Sequence, residues 1–404
     1  MSRRGLVRGV QLVVAITLLT FAVLVWRSVS ASGVDLRDGL ADVRPGWLLV
    51  AALLALQEGV CGGLRIWVLG RVLAPALALR TAVVSEFVLM FCAGVTPGQV
   101  GAAPAQVAVL VHGGMRFAEV ATAELLTASC TIVFFLLSAV TITVLRHTGL
   151  MVVHGGDQLD WLVGVSLVVF GAALLGLVAA AAWPPLLKRG FAMAGRALAP
   201  PGRALWRVLR RTRWRAWAER RLARPGSTTA RLQLLVDDFH AGFRVYLRRG
   251  KRAYLTAMLL TLGFFCSRFA VAYFILLGLG LDTHPSSFVT IGPPLVQVVL
   301  VQALLNFALY LSPTPGASGV AEAGSTTLMA PWVHGAFELP YLVLWRLLAM
   351  FLCMFVGGIY VFRYLGTDVL EERVAANEAE RLRREEARRA AAANARPAEQ
   401  PPVR

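Results

Sequence analysis

Long apolar stretches recur along the chain, each about as long as a membrane is thick. An α-helix needs roughly 20 mostly apolar residues to cross ~30 Å of hydrocarbon. Six stretches fit this length, namely Val10 to Trp26, Trp47 to Trp67, Val120 to Leu145, Trp161 to Trp183, Tyr254 to Leu277 and Leu339 to Phe362. The mean hydropathy of +0.66 and the charged fraction of 16% exclude an ordinary soluble globular domain. The sequence therefore predicts an all-α, polytopic membrane protein.

The first apolar stretch follows three arginines, as it would in a signal peptide. Its apolar run is long, however, and Trp26-Arg27-Ser28 lacks the small residues of a signal-peptidase site. We therefore expect an uncleaved first span.

Most of the net charge of +17 lies in one segment between two predicted spans. Residues 187–252 contain 18 Lys or Arg and three acidic residues, which leaves a local charge of +15. Basic loops remain in the cytoplasm, so this loop and both chain termini are predicted to be cytoplasmic in a multi-pass protein of the cell membrane. Trp206, Trp214 and Trp217 suit a helix lying on anionic lipid headgroups. We therefore expect the loop to contact lipid and not nucleic acid.

Two further apolar stretches are interrupted in the middle by proline and glycine. They are Thr81 to Val111, with Thr96-Pro97-Gly98-Gln99-Val100-Gly101, and Phe288 to Pro331, with Ser312-Pro313-Thr314-Pro315-Gly316-Ala317-Ser318-Gly319. Irregular backbone at membrane depth is tolerated only where protein or a water-filled cavity covers it. In both breaks threonine can cap a new helix whose first residue is the proline. Each break therefore predicts the tip of a helix-loop-helix hairpin, and a simple kink is the alternative.

If each hairpin returns to the side from which it entered, the two hairpins enter from opposite sides. The units Trp47 to Leu145 and Tyr254 to Phe362 then share the order span, hairpin, span in opposite orientations. Many secondary transporters use such an inverted repeat to build a substrate site near the bilayer midplane. The second broken stretch is long enough to cross fully, so we predict either about six spans plus two opposed re-entrant hairpins, or eight spans.

These assignments divide the chain into consecutive parts. They are residues 1–45 with the first span and outer loop, 46–186 with the first membrane repeat and the following span, 187–252 with the basic cytoplasmic loop, 253–363 with the second, inverted repeat, and 364–404 with a charged cytoplasmic tail. We expect the tail to be partly disordered because it is polar and densely charged.

Charged side chains within apolar segments are the best candidates for function, because they are costly to insert and normally face a protein interior or a cavity. They are Glu58, Arg65, Glu86, Glu124, Arg268, Glu322 and Arg346. Glu58 and Arg65 lie seven residues apart on one helix face, so a structural ion pair between them is an alternative. A helix starting at Pro97 or Pro315 would direct free N–H groups into the membrane centre, where they and the arginines could hold a phosphate.

The histidines and cysteines show no metal-ligand spacing, and no nucleotide-binding motif is present. We therefore predict no cofactor, no metal and no catalytic residue.

Several motifs together resemble the lysylphosphatidylglycerol synthase transmembrane domain family. They are Arg65 at the end of the second span, Thr96-Pro97-Gly98-Gln99-Val100-Gly101, and Pro315 to Glu322 followed by Arg346. Members of this flippase-like family include the N-terminal, lipid-translocating part of the bacterial multiple peptide resistance factor. The resemblance covers roughly residues 47–363. The first motif is degraded, because the family usually has an acid where this chain has Ala102, and Glu-Arg with a nearby Asp where this chain has Glu124-Leu125.

The resemblance implies lipid translocation without lipid synthesis and hence no enzyme activity, because only about 40 polar residues follow the last predicted span, too few for the synthase domain of the full enzyme. The expected ligand is a phosphate-bearing lipid, either an anionic or aminoacylated phospholipid or a polyprenyl phosphate. The residues expected to line its path are Arg65, Thr96, Pro97, Gly98, Gly101, Glu124, Arg268, Thr314, Pro315, Gly316, Gly319, Glu322 and Arg346.

Two other functions stay open from the sequence. One is a non-transporting membrane scaffold or accessory subunit that binds lipid or an envelope enzyme through the basic loop. The other is a membrane-embedded transferase acting on a lipid headgroup. A homo-oligomer is compatible with either function and with transport.

Overall fold

The computed structural model of the chain describes residues 43–149, 156–182, 242–246, 248–281, 294–312 and 314–365. The predicted first span at Val10 to Trp26, almost all of the outer loop, most of the basic loop and the tail beyond residue 365 lie outside the described residues. Within the described ranges the regular elements are all helical and no strand occurs. This confirms the all-α prediction.

Most helices are long, and two pairs of them flank short 3₁₀ turns. The helices are α1 Pro45–Leu73, α2 Leu79–Val95, α3 Ala102–His112, α4 Phe117–His147, α5 Gly156–Ala182, α6 Lys251–Gly278, α7 Pro294–Leu311, α8 Val320–Met329, α9 Glu338–Arg346 and α10 Leu352–Leu365. The 3₁₀ turn Pro97–Gln99, called the first tip, lies between α2 and α3, and Pro315–Ala317, the second tip, lies between α7 and α8. The π-helical turn Leu347–Phe351 continues α9 into α10.

Five helical segments are long and apolar enough to cross a membrane. They are Pro45–Leu73, Phe117–His147, Trp161–Ala179, Lys251–Gly278 and Gly335–Arg363. Each corresponds to one of the spans predicted from hydropathy, so the chain is a multi-pass membrane protein. The two broken stretches each fold as helix, tip and returning helix, with α2 packed on α3 and α7 packed on α8. Each break is therefore a helix-turn-helix hairpin and not a simple kink, whereas re-entry of the hairpins, the total span count and the inverted repeat stay predictions.

Helices α1 and α6 form a central antiparallel pair. The N–H of Arg44, which precedes α1, donates to the carbonyl oxygen of Gly278 at the end of α6, over 2.7 Å. Pro45 begins α1, where a missing N–H costs nothing. Aromatic rings join this pair to its neighbours, with the rings of Phe134 and Phe265 stacked at 4.3 Å between α4 and α6. The first helix of each predicted repeat is thus in contact with the first helix of the other.

Helix α2 is held between α1 and α10 at positions where those helices carry glycine. A β-carbon on Gly63 of α1 would lie 2.4 Å from the Cα of Val83, and one on Gly357 of α10 would lie 2.0 Å from the carbonyl oxygen of Phe87. No β-carbon tolerates such distances, so the glycines permit backbone contact between these helices. Small residues at helix interfaces are typical of membrane proteins, where close packing replaces the hydrophobic effect.

We expect Gly357→Ala to destabilise the protein and Gly171→Ala, its matched control on α5, not to. The new methyl group at position 357 collides with α2 and should cost about 1–3 kcal/mol. A β-carbon at Gly171 meets nothing within 4 Å, and alanine favours a helix by up to ~1 kcal/mol over glycine. Thermal unfolding of the purified variants in detergent measures both effects. Equal melting temperatures for the two variants would show that the α2–α10 contact is not tight.

Candidate functional site

The two tips have the same backbone conformation and contact each other. Gly98 has φ 56° and ψ 21°, and Gly316 has φ 57° and ψ 20°. The residues that follow them, Gln99 and Ala317, also have positive φ, at 58° and 54°. A left-handed conformation is accessible to glycine without penalty and costs other residues roughly 1–2 kcal/mol. The shape of the turn therefore favours the glycine in each Pro-Gly pair.

The returning helices do not begin at the prolines, so the prediction of α-helices starting at Pro97 and Pro315 is wrong. The left-handed residues end helical geometry within each tip, and α3 begins only at Ala102 and α8 at Val320. Gly101, and not Thr96 as predicted, is the N-cap of α3, and Thr96 is the C-cap of α2. Its hydroxyl donates to the Cys92 carbonyl oxygen over 2.6 Å and accepts the Gly101 N–H over 3.0 Å.

At the second tip, the polar backbone groups already have partners from the chain itself. The Oε2 atom of Glu322 accepts the Gly319 N–H at the start of α8, over 2.6 Å. Arg346 contacts the other carboxylate oxygen of Glu322 at 2.6 Å through Nη2 and at 2.8 Å through Nε. Its Nη1 atom donates to the carbonyl oxygen of Gly316 over 2.9 Å. Glu322 therefore occupies the position that an anion was expected to take, and Arg346 clamps it to the tip.

On the α1 side, the alternative ion pair between Glu58 and Arg65 does not form. Nη1 of Arg268, on α6, lies 2.5 Å from Oε1 of Glu58. Nη2 of Arg65 instead lies 3.9 Å from Oε1 of Glu86 on α2. Sharing one helix face was not sufficient, because the neighbouring helices α2 and α6 bring opposite charges closer. Gly62 makes room for Glu86, since a β-carbon on this glycine would lie 2.4 Å from Glu86 Oε1.

A cavity of about 170 Å³, here called the central cavity, lies between the two tips and helices α1, α2, α6, α7 and α9. This volume exceeds the ~15 Å³ that one water molecule requires. Its polar lining comprises Glu58, Glu86, Gln99, Arg268, Asn306, Tyr310, Gly316 and Arg346. The side chain of Arg268 is 33% exposed, although it lies in the interior of the helix bundle.

The structure brings together some of the predicted site residues and leaves others apart. Arg268, Gly316 and Arg346 line the central cavity, and Glu322 supports Arg346 from behind. The remaining predicted residues of the tips belong to the turns themselves or flank them. They are Thr96, Pro97, Gly98, Gly101, Thr314, Pro315 and Gly319. Arg65 and Glu124 lie outside the cavity lining.

Sequence reasoning had not placed five of the polar lining residues in the site. Glu58 and Glu86 carried a usable signal, because a carboxylate within a span normally faces a cavity or a partner. The neutral side chains of Gln99, Asn306 and Tyr310 carried no comparable signal. Two buried polar atoms of the lining residues, Nδ2 of Asn306 and Oε2 of Glu58, have neither a hydrogen bond nor an ion-pair contact in the described part of the chain. A buried orphan donor and a buried orphan acceptor are what a ligand with both kinds of group would satisfy.

A second, larger cavity of about 620 Å³ lies between α4, α5 and the start of α6. Its lining is mainly apolar, with Leu125 and Leu174 among its side chains. The hydroxyls of Ser129 and Tyr254 are joined by a 2.9 Å hydrogen bond at its wall, and Lys251 lies at its edge. Apolar walls of this kind suit hydrocarbon and not a charged headgroup.

We expect Arg346→Met to cost about 3–5 kcal/mol of stability, because it leaves the carboxylate of Glu322 buried and unpaired. The double variant Glu322→Gln/Arg346→Met should recover part of this loss, since glutamine keeps the cap on Gly319 without the charge. Arg116→Met is the matched control, because the Arg116 side chain is 79% exposed in its pair with Glu119 and should cost at most ~1 kcal/mol. Unfolding of the purified variants measures these differences. Additive losses in the double variant would contradict a tight buried pair.

The comparisons with known proteins agree with this architecture. No curated protein matches the chain. A family model described as "Lysylphosphatidylglycerol synthase TM region" matches residues 10–357, which confirms the resemblance seen in the motifs. Because this match extends over most of the 404 residues, the chain belongs to the lysylphosphatidylglycerol synthase TM region family.

Proposed function

We propose that this protein binds the phosphate-bearing headgroup of a membrane lipid in the central cavity and translocates the lipid across the cell membrane. The observation that carries the proposal is the position of the cavity, which lies beside two contacting hairpin tips and is lined by Arg268 and Arg346. A guanidinium group has five N–H donors and suits phosphate oxygens. Arg268 uses one terminal nitrogen on Glu58 and is partly exposed, so it is the better placed of the two arginines to receive a phosphate.

The charges around the cavity favour a headgroup that carries both signs. Its lining holds two carboxylates, of Glu58 and Glu86, and two guanidinium groups, of Arg268 and Arg346. A bare phosphate would compete with these carboxylates for the arginines. A headgroup with a phosphate and an ammonium group, as in an aminoacylated lipid, would pair with Arg268 and with the orphan oxygen of Glu58 together. Zwitterionic and aminoacylated phospholipids are therefore better candidates than simple anionic ones.

An inverted repeat would supply the motion that transport requires. The two tips share one backbone turn, and α1 and α6, the first helices of the two halves, are antiparallel, as an inverted repeat demands. In transporters with this symmetry, one repeat rocks against the other around a fixed midplane site. We place the basic segment and both termini in the cytoplasm, following the distribution of Lys and Arg. The match to the transmembrane region of the family supports transport in preference to enzyme activity.

The test is translocation of labelled lipids in vesicles that contain the purified protein. We expect anionic, zwitterionic and aminoacylated lipids to differ in rate, with at least one moving faster than in empty vesicles. Arg268→Ala should slow this movement about tenfold or more, because a hydrogen bond to a charged group contributes roughly 1.5–3 kcal/mol. Asn306→Leu removes the orphan donor without altering charge and should also reduce the rate. It serves as a second variant if loss of Arg268 leaves Glu58 unpaired and disturbs folding.

Arg116→Ala is the control, because Arg116 lies at the exposed start of α4, away from the cavity lining. Gel filtration establishes that each variant is folded before its rate is measured. Rates equal to those of empty vesicles for every headgroup would refute translocation. If Arg268→Ala and Asn306→Leu are both folded and both translocate lipid at the wild-type rate, the central cavity is not the lipid site. If neither the wild type nor the variants translocate lipid, the scaffold alternative is favoured.

A further inference from the structure

The charges in the interior of the helix bundle do not balance. The guanidinium groups of the three interior arginines each contact one carboxylate, in the pairs Arg65–Glu86, Arg268–Glu58 and Arg346–Glu322. Glu124, two turns after the start of α4 at Phe117, is a fourth interior carboxyl group. Among the described residues no arginine or lysine lies within ion-pair distance of it. Within the described ranges, the interior therefore holds one carboxyl group more than it holds guanidinium or ammonium groups.

The same region has fewer unpaired hydrogen-bond donors than unpaired acceptors. The Oε1 atom of Glu124 is buried without a partner, as are Oε1 of Gln106 and Oε2 of Glu58, whose side chains are each about 1% exposed. Gln106 uses its amide nitrogen on Oε2 of Glu86, at 3.0 Å. In this part of the described chain the buried donors without a partner are Nε of Arg65 and, in the lining of the central cavity, Nδ2 of Asn306. A shortage of unpaired donors together with a surplus carboxyl group indicates that a proton or another cation binds in this region.

The carboxyl groups are arranged at successive levels along the helices. Arg65 donates to Thr131 on α4 over 3.2 Å, and Thr131 lies seven residues, about 10 Å along the helix, from Glu124 on the same face. Glu86 packs on Gly62, between the levels of Arg65 and Glu58 on α1. Glu58 then lines the central cavity. Glu124 thus lies nearest the start of α4, beyond the level of Arg65, and Glu86 and Glu58 lie at the central cavity. Proton-coupled transporters also carry carboxyl groups at successive depths.

We propose that Glu124 carries an exchangeable proton and that its binding and release couple a proton gradient to the movement of lipid. Protonation forms one O–H bond on the carboxylate, removes the uncompensated charge and supplies the missing donor. An isolated ionised carboxylate in such an interior costs several kcal/mol and tends to neutralise instead. The proton comes from water on one side of the membrane and leaves, by way of Glu86 and Glu58, to water on the other. The coupling rests on the proposed function, whereas the proton site itself does not.

The surroundings of Glu124 favour a proton over a metal ion. The charges that act on it are those of Glu86, on α2, and Arg65, on α1. The helices packed against α4 carry further titratable groups, and residues 161–179 of α5 contain none. They are Glu58, Cys61 and Arg71 on α1, His112 on α3, Lys251, Arg252, Tyr254, Cys266, Arg268 and Tyr273 on α6, and Tyr310 on α7. Among the described residues, no three His, Cys, Asp or Glu side chains are grouped so that they could hold a metal ion.

The proton site is tested by infrared spectroscopy of the reconstituted protein, titrated in pH, on the C=O stretching band of protonated carboxyl groups. We expect this band in the wild-type protein at neutral pH and its loss in Glu124→Gln. Glu119→Gln is the matched control on the same helix, since the carboxylate of Glu119 has an ion-pair partner in Arg116 at 2.6 Å. The absence of the band from the wild type, or its persistence in a folded Glu124→Gln protein, overturns the assignment.

The coupling is tested in the same vesicles with an imposed pH gradient or an imposed sodium gradient. One pH unit changes the protonation ratio of a carboxyl group about tenfold, so the wild-type translocation rate should respond by up to that factor. Glu124→Gln should lose the response to pH, and Glu119→Gln should keep it. A wild-type rate that ignores the pH gradient, or follows sodium alone, overturns the coupling. If labelled lipid does not move faster than in empty vesicles under any of these conditions, both the proposed function and the coupling are refuted. The infrared titration still decides the proton site in that case.

Discussion

Glycines on α1 and α10 bring the backbone of α2 into direct contact with both helices, and much of the interior depends on this approach. With any larger residue at Gly62, the carboxylate of Glu86 would lose the space it occupies. Arg65 would then lose its ion-pair partner on α2. The close packing also fixes the position of the C-terminal end of α2, and with it the position of the first tip against the second. Van der Waals contact between backbones, which lipid cannot replace, thus sets the geometry of the charged site.

The charged residues of the interior form a system in which each ion pair has a different task. The pair of Arg346 and Glu322 closes the second tip, because it satisfies both the Gly316 carbonyl and the Gly319 N–H. The pair of Arg268 and Glu58 faces the central cavity and retains free hydrogen-bonding capacity. One pair therefore stabilises backbone that would otherwise be unsatisfied at membrane depth, and the other is available to a ligand. This division could not be inferred from the presence of three arginines alone.

Hydropathy correctly predicted the five spans that lie within the described residues, because crossing a bilayer demands length and apolarity, which are both local properties. The Pro-Gly pairs predicted the hairpins for a similar reason, since their backbone preferences are local. The helix starts were wrong because the left-handed conformation extends to Gln99 and Ala317, residue types that give no warning of it. Ion-pair partners were missed because they depend on which helices are neighbours. Asn306 and Gln99 were missed because a neutral polar side chain in a span is too common to identify a site.

The last two helices, α9 and α10, form one continuous helix whose contact face rotates about the axis at the π-helical turn between them. In an unbroken α-helix each residue advances 100° around the axis, so the extra residue of the π-helical turn Leu347–Phe351 offsets α10 from α9 by about that angle. Arg346, before the turn, faces the second tip, whereas Gly357, after it, faces α2 and hence the first hairpin. The continuous helix formed by α9 and α10 thus contacts the two hairpins through two different faces. A rotation of this continuous helix about its own axis would therefore displace its contacts with both hairpins together.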